Sequence, residues 1–204
     1  MKSNLEKSAR PRTKPPAVRR EELMDAAERL FLAQGIAATS IDAIVAGADV
    51  AKGTFYLYFQ SKDQLLAALQ QRFIDDFCTE LQAAVDKCPA GDWKGRLRAW
   101  AAAGVDGHLD RIELHEVVFH EFRPDDPHAT HRNSTVDQLA DFLAQGTRAG
   151  AWSIRDPRLL ATMLFHALHG AVHETAARKK IDRNSLVRAL QAFFERAVAA
   201  LPSR

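Results

Sequence analysis

Val50-Ala51-Lys52-Gly53-Thr54-Phe55-Tyr56-Leu57-Tyr58-Phe59 decides how this 204-residue chain folds. Ala51 to about Leu57 reads as a short helix with Lys52, Gly53, Thr54 and Tyr56 near its start. In a helix-turn-helix, that is where a recognition helix approaches base edges and phosphates. Glycine costs roughly 1 kcal/mol of helix propensity, so Gly53 implies a close approach to the backbone. Lys52 suits a phosphate, Thr54 a phosphate or a thymine methyl, and Tyr56 and Tyr58 carry hydroxyls at the edge of an aromatic cluster. Phe55 and Phe59 are assigned to the core, because clustered aromatics pack more often than they read ligands.

The flanking segments supply the rest of a three-helix reader. Leu23, Ala26, Ala27, Leu30 and Phe31 recur at helical spacing, with charged residues between them, and form an amphipathic first helix that Gly35 ends as a left-handed residue. Thr39 or Ser40 caps a second helix, whose first turn carries Asp42 and whose buried side is Ile41, Ile44 and Val45. A turn at Gly47-Ala48-Asp49 leads into the third. Beyond it, Ser61-Lys62-Asp63-Gln64 is a capping box that opens a fourth helix and sets Lys62 beside an anion-binding helix end.

This ordered set, with Thr39-Ser40-Ile41-Asp42-Ala43-Ile44, the 50–59 segment and Ser61-Lys62-Asp63, resembles the DNA-binding domain of TetR-family transcriptional regulators over about the first third of the chain. The resemblance implies an all-α protein: an N-terminal three-helix helix-turn-helix domain followed by a helical ligand-binding and dimerisation domain. It implies DNA contacts from Thr39, Ser40, Lys52, Gly53, Thr54, Tyr56, Tyr58 and Lys62. The chain departs from the family pattern at Asp49 (usually Gly), Ala51 (commonly Ser) and Leu57 (commonly His). Asp tolerates the left-handed region that the turn needs. The other two departures remove polar groups, and so bear on operator preference.

Charge is unevenly spread. Residues 1–20 hold Lys2, Lys7, Arg10, Arg12, Lys14, Arg19 and Arg20 against Glu6 alone, so a basic arm lies behind a total of only +2. Pro11, Pro15 and Pro16 keep this arm non-helical until Ala17; it is either a solvated terminus or a cationic arm on phosphates or in a minor groove, with Arg19 and Arg20 the candidates nearest the first helix. The domains are then a basic arm over 1–16, a DNA-binding domain over 17–64 and an effector-binding and dimerisation domain over 65–204. No run approaches a membrane span, the start lacks a signal peptide's apolar core, and Cys78 and Cys88 are too few for a disulfide framework, so a cytoplasmic location is expected. The two cysteines read as ordinary thiols rather than a redox pair.

Leu66, Leu69, Phe73, Phe77 and Leu81 extend the fourth helix to about Lys87, and further helices are expected at 93–107, 108–122, 130–149, 157–180 and 184–201. The last two are apolar on more than one side. Leu160, Met163, Leu164, Ala167, Leu168 and Ala171 on one, with Leu190, Phe193, Ala197 and Leu201 on the other, suit a four-helix interface between two copies. Such a homodimer presents two reading helices to a palindromic double-stranded operator. The middle helices are expected to enclose a small-molecule effector with Trp100, Phe119, Phe142, Trp152 and Phe165 as lining and His115, Glu116, His120, His166 and His169 as polar contacts. His169 and His173 have the i, i+4 spacing that can share a metal. No cysteine or carboxylate set completes a closed site, so no metal and no cofactor are expected. An enzyme is disfavoured because Glu-x-x-His pairs, a phosphate loop and a nucleophile elbow are all lacking. A nonspecific DNA-architectural protein is the other alternative; it has no need of the long, nearly neutral helical domain.

Overall fold

The computed structural model describes residues 15–120, 133–178 and 182–199, and among these it contains nine helices and no strand. They divide into two compact units, the first ending at Leu65 and the second beginning at Leu66.

The first unit contains α1 (Pro16–Ala38), α2 (Ile41–Gly47), α3 (Lys52–Tyr58) and the start of α4 (Lys62–Asp86). Leu23, Met24, Ala26, Ala27 and Phe31 of α1, Ile44 of α2, and Phe55 and Phe59 in and after α3 are almost fully buried and form its core. Gly35 has φ 78° and ψ 164°, which breaks the regular helix at the expected residue but not in the αL basin. Ser40, not Thr39, caps α2, its hydroxyl accepting from the Ala43 amide at 3.1 Å. The turn into α3 rests on Asp49, the one described non-glycine residue with positive φ, at 53°. Ser61 accepts from the Gln64 amide at 3.1 Å, and the Gln64 side chain accepts from the Gln60 amide at 2.5 Å, so the capping box is closed one residue early.

The second unit contains the rest of α4, then α5 (Trp93–Asp110), α6 (Ile112–His120), α7 (Ser134–Arg148), α8 (Pro157–Ala177) and α9 (Arg183–Ala199). The helix α7 packs on α8, and α5 packs on both α8 and α9. Asp92, Asn133 and Asp156 cap α5, α7 and α8 by accepting from amides three residues on. Sequence reading ends α5 at Gly107, but the helix continues to Asp110. A Cβ at Gly107 would stand 3.2 Å from the Phe77 ring and 3.1 Å from Glu80 Oε2, so this glycine permits close packing of α4 rather than stopping α5. His108 therefore lies in the last turn of α5.

Candidate functional site

Two turns of helix are enough for α3 to hold one face in and present another. Phe55 is fully buried and Phe59 nearly so, while Tyr56 is 53% exposed and Leu57 78%. Among the described residues no packed neighbour comes within 4 Å of where a Gly53 Cβ would stand, so nothing described there accounts for a glycine. Lys52 is exposed and holds Asp42 Oδ1 at 2.7 Å; that carboxylate raises the ammonium above its ordinary value and keeps it charged. Beside α3, a groove of about 580 Å³ runs between Pro16 and Arg19 of α1 and Ala51, Thr54, Leu57 and Tyr58. It offers hydroxyls and one guanidinium at an open surface, and Arg19 is steadied by Glu22 at 2.8 Å.

Two residues expected at DNA face inward instead. Thr39 is 1% exposed; its hydroxyl donates to the Gly35 carbonyl at 2.8 Å and accepts from the Gln34 amide group at 3.2 Å. The Lys62 ammonium donates to the Ile36 carbonyl at 2.7 Å and the Thr39 carbonyl at 2.9 Å. It ties the start of α4 to the end of α1, where carbonyls lack helical partners. Ser40 is exposed, but its hydroxyl oxygen is engaged as the α2 cap.

In the second unit, the expected effector residues do not form one site. Trp100 is 1% exposed and packs on Phe194 with ring centroids 6.1 Å apart. Phe142 and Trp152 pack on each other and on Trp93, and the Trp152 indole donates to the Leu143 carbonyl at 2.8 Å. Trp100 and Phe142 lie on the apolar stripes of α5 and α7, and Trp152, just after α7, closes over Gly146, so these three aromatics are core. His115, Phe119, Phe165 and His169 do come together, in a second cluster that also holds Phe73, His108 and His173. Glu116 borders it, with Oε1 2.7 Å from His173 Nδ1. His166 is exposed and touches only Phe165 among the described ring contacts, and the side chain of His120 lies outside the described residues. His108 is 2% exposed; burial, then the neighbouring histidines and Arg111, push its imidazole down to about 3, so it is neutral at pH 7.

Residues 23–69 match the family model described as bacterial regulatory proteins of the tetR family, and residues 92–196 match that of the tetracyclin repressor-like C-terminal domain. The chain belongs to the TetR family. It is thus a non-enzymatic, DNA-binding transcriptional regulator. Among its relatives, the HTH-type transcriptional repressor DhaR of Mycobacterium sp. (strain GP1) is 28% identical over 81% of this chain and 84% of that one. The repressor KstR2 of Mycolicibacterium smegmatis is 32% identical over 71 residues, so the match spans only 35% of the length of each protein. The fold is similar to that of the fatty acid degradation regulator FadR from Bacillus halodurans, with a TM-score of 0.72 at 22% identity over 95% of this chain and 100% of that one. It is similar again to FadR from Bacillus subtilis solved with stearoyl-CoA, with a TM-score of 0.71 at 21% identity over 89% and 99% of the two chains. No described helix is long and apolar enough to cross a membrane.

The faces expected to pair TetR-family protomers are divided by the structure. Leu164 and Leu168 are fully buried and Leu190 is 6% exposed, all inside this protomer's own core. They are covered by their own protomer's core rather than left outward. Leu160, Ala171 and Ala197 are partly buried against the same core, Ala167 is half-buried, and Leu201 lies outside the described residues. Met163 and Phe193 remain outward at 58% and 42% exposure, joined by Leu159, which sequence reading omitted. Sequence reading also left His108 and His173 out of the interior site; the i, i+4 pair on α8 was the available signal for His173, and none marked His108.

Proposed function

We propose that this TetR-family chain is a ligand-responsive repressor that binds a palindromic operator as a homodimer and leaves it when a small-molecule effector occupies the second unit. Residues 17–64 read DNA and 65–204 bind the effector and dimerise; the basic arm over 1–16 lies outside the described residues except for Pro15 and for Pro16, which opens α1. The observation that carries the reading is the outer face of α3, where Lys52, an unencumbered Gly53, Tyr56 and Leu57 project from a helix anchored by Phe55. That face and the groove beside Arg19, Thr54 and Tyr58 suit base edges and phosphates respectively. Repression is supported by the names of DhaR and KstR2, and a small-molecule effector by the acyl-CoA held in the Bacillus subtilis FadR structure. Dimerisation is supported by the outward Leu159, Met163 and Phe193 on α8 and α9.

In this mechanism the effector favours a conformation of the second unit in which α4, continuous from Lys62 to Asp86, carries the reading helices out of register with successive major grooves. The coupling is reciprocal, so DNA weakens effector binding by the factor by which effector weakens DNA binding. Selection of binding sites from a random duplex library at near-physiological salt tests the reading. Enrichment of one palindrome is the expected result. Equal affinity for selected and random duplexes overturns it in favour of a nonspecific architectural protein.

A further inference from the structure

Three helices of the second unit each aim histidine at one point: His108 from the end of α5, His115 from α6, and His169 and His173 from successive turns of α8. One ring nitrogen from each lies within 4.8 Å of the other three. His108 Nε2 and His173 Nε2 are 3.2 Å apart, and His169 Nε2 and His115 Nε2 are 3.4 Å apart. The six ring-to-ring distances run only from 4.3 to 5.2 Å, so the imidazoles surround a common centre rather than forming a row. A tetrahedral ion with metal–nitrogen bonds near 2.0–2.1 Å sets its nitrogens roughly 3.4 Å apart, which is the spacing of the two closest pairs.

We propose that His108, His115, His169 and His173 form a tetrahedral site for a divalent transition metal ion, with Zn²⁺ the best fit. Four imidazoles without thiolate or bound carboxylate are a borderline donor set, suited to Zn²⁺, Co²⁺ or Ni²⁺ and unsuited to Mg²⁺ or Ca²⁺. The tetrahedral arrangement selects Zn²⁺ and Co²⁺ among them. Glu116 completes the arrangement as an outer partner. Its carboxylate, 2.7 Å from His173 Nδ1, holds that proton outward and turns the Nε2 lone pair to the centre, as carboxylates behind metal-ligating histidines do. Phe73, Phe77, Phe119 and Phe165 ring the cluster and keep the imidazoles in a low-dielectric shell. His169 and His173 are only partly buried, which leaves an entry path from the α8 side. Arg111 is the nearby cation, and it is paired with Glu80.

The test uses the full chain without an affinity tag, stripped with chelator and titrated with Co²⁺ and then Zn²⁺ in the absence of DNA. The outcome thus speaks to the site alone and not to the repressor reading. One Co²⁺ per chain is expected, with the intense visible absorption of a tetrahedral ion, displaced stoichiometrically by Zn²⁺. The doubly substituted His169→Gln, His173→Gln chain alters only partly buried positions; with helical circular dichroism unchanged, it should lose the tetrahedral spectrum. Glu116→Gln should keep the spectrum while binding about 10- to 100-fold more weakly, the usual effect of removing such an outer partner. Weak octahedral Co²⁺ absorption, sub-stoichiometric binding, or full binding by the double variant would each overturn the proposal. The histidines would then be a hydrogen-bonded packing cluster.

Discussion

Replacing Lys62 by Met separates two roles that the sequence alone leaves confounded. The ammonium donates to two carbonyls, Ile36 at 2.7 Å and Thr39 at 2.9 Å, and both bonds are partly buried. A hydrogen bond from a charged donor contributes about 1.5–3 kcal/mol when well shielded, and partial exposure reduces each of these to nearer 1, for a total of about 2 kcal/mol. Met keeps the aliphatic length and removes only the donors. Amide hydrogen exchange at the end of α1 and the start of α2 should therefore speed up about 30-fold, since each 1.36 kcal/mol is tenfold. In parallel, the salt dependence of binding to a selected duplex is read by fluorescence anisotropy. A lysine on a phosphate would take about 0.9 from the log–log slope when removed, whereas a lysine spent on carbonyls leaves the slope unchanged. Wild-type exchange rates together with a slope shallower by about 0.9 would refute the assignment and return Lys62 to the DNA surface.

Gly53→Ala should leave the thermal midpoint equal or higher, by up to about 1 kcal/mol of helix propensity, because the added Cβ meets nothing; duplex affinity should fall at least roughly tenfold. Unchanged affinity would mean that nothing approaches α3 there. Gly146→Ala would set a Cβ 2.2 Å from Trp152 Cζ2 and force that indole from its bond to the Leu143 carbonyl. Overpacking and the lost hydrogen bond together cost about 2–4 kcal/mol, visible as a lower urea midpoint by tryptophan fluorescence; an unchanged midpoint contradicts the packing. Phe193→Glu combined with Met163→Glu should weaken self-association by roughly tenfold or more in sedimentation velocity, since two outward apolar side chains become charged. A sedimentation profile identical to the parent's would remove α8 and α9 from the interface.

What could be read in the sequence was whatever local spacing controls. Phe55 on α3 and Phe59 just after it lie four apart between turn residues, and both are buried as that spacing predicts. Asp49 takes positive φ because the turn leaves little alternative. Partners distant in sequence were not legible: Lys62 reaches carbonyls 23 and 26 residues upstream, and no local rule distinguishes that from reaching phosphate. Gly107 shows the same limit, since a helix stop and a close-packing site use the same residue type and only Phe77 of α4 decides between them. The histidines are the extreme case. His169 and His173 announce themselves by spacing, but His108 and His115 join them only because α5 and α6 return to the same face of α8.

The division of labour on α3 has a consequence for how this protein could be altered. Stability of the first unit depends on Phe55 and Phe59, which face inward, and the outward Lys52, Tyr56 and Leu57 contribute little to it. Changes at those outward positions are therefore close to neutral for folding, whatever they do to recognition. A library randomised at 52, 56 and 57 should yield mostly folded members, so new duplex preferences can be sought without first compensating for lost stability.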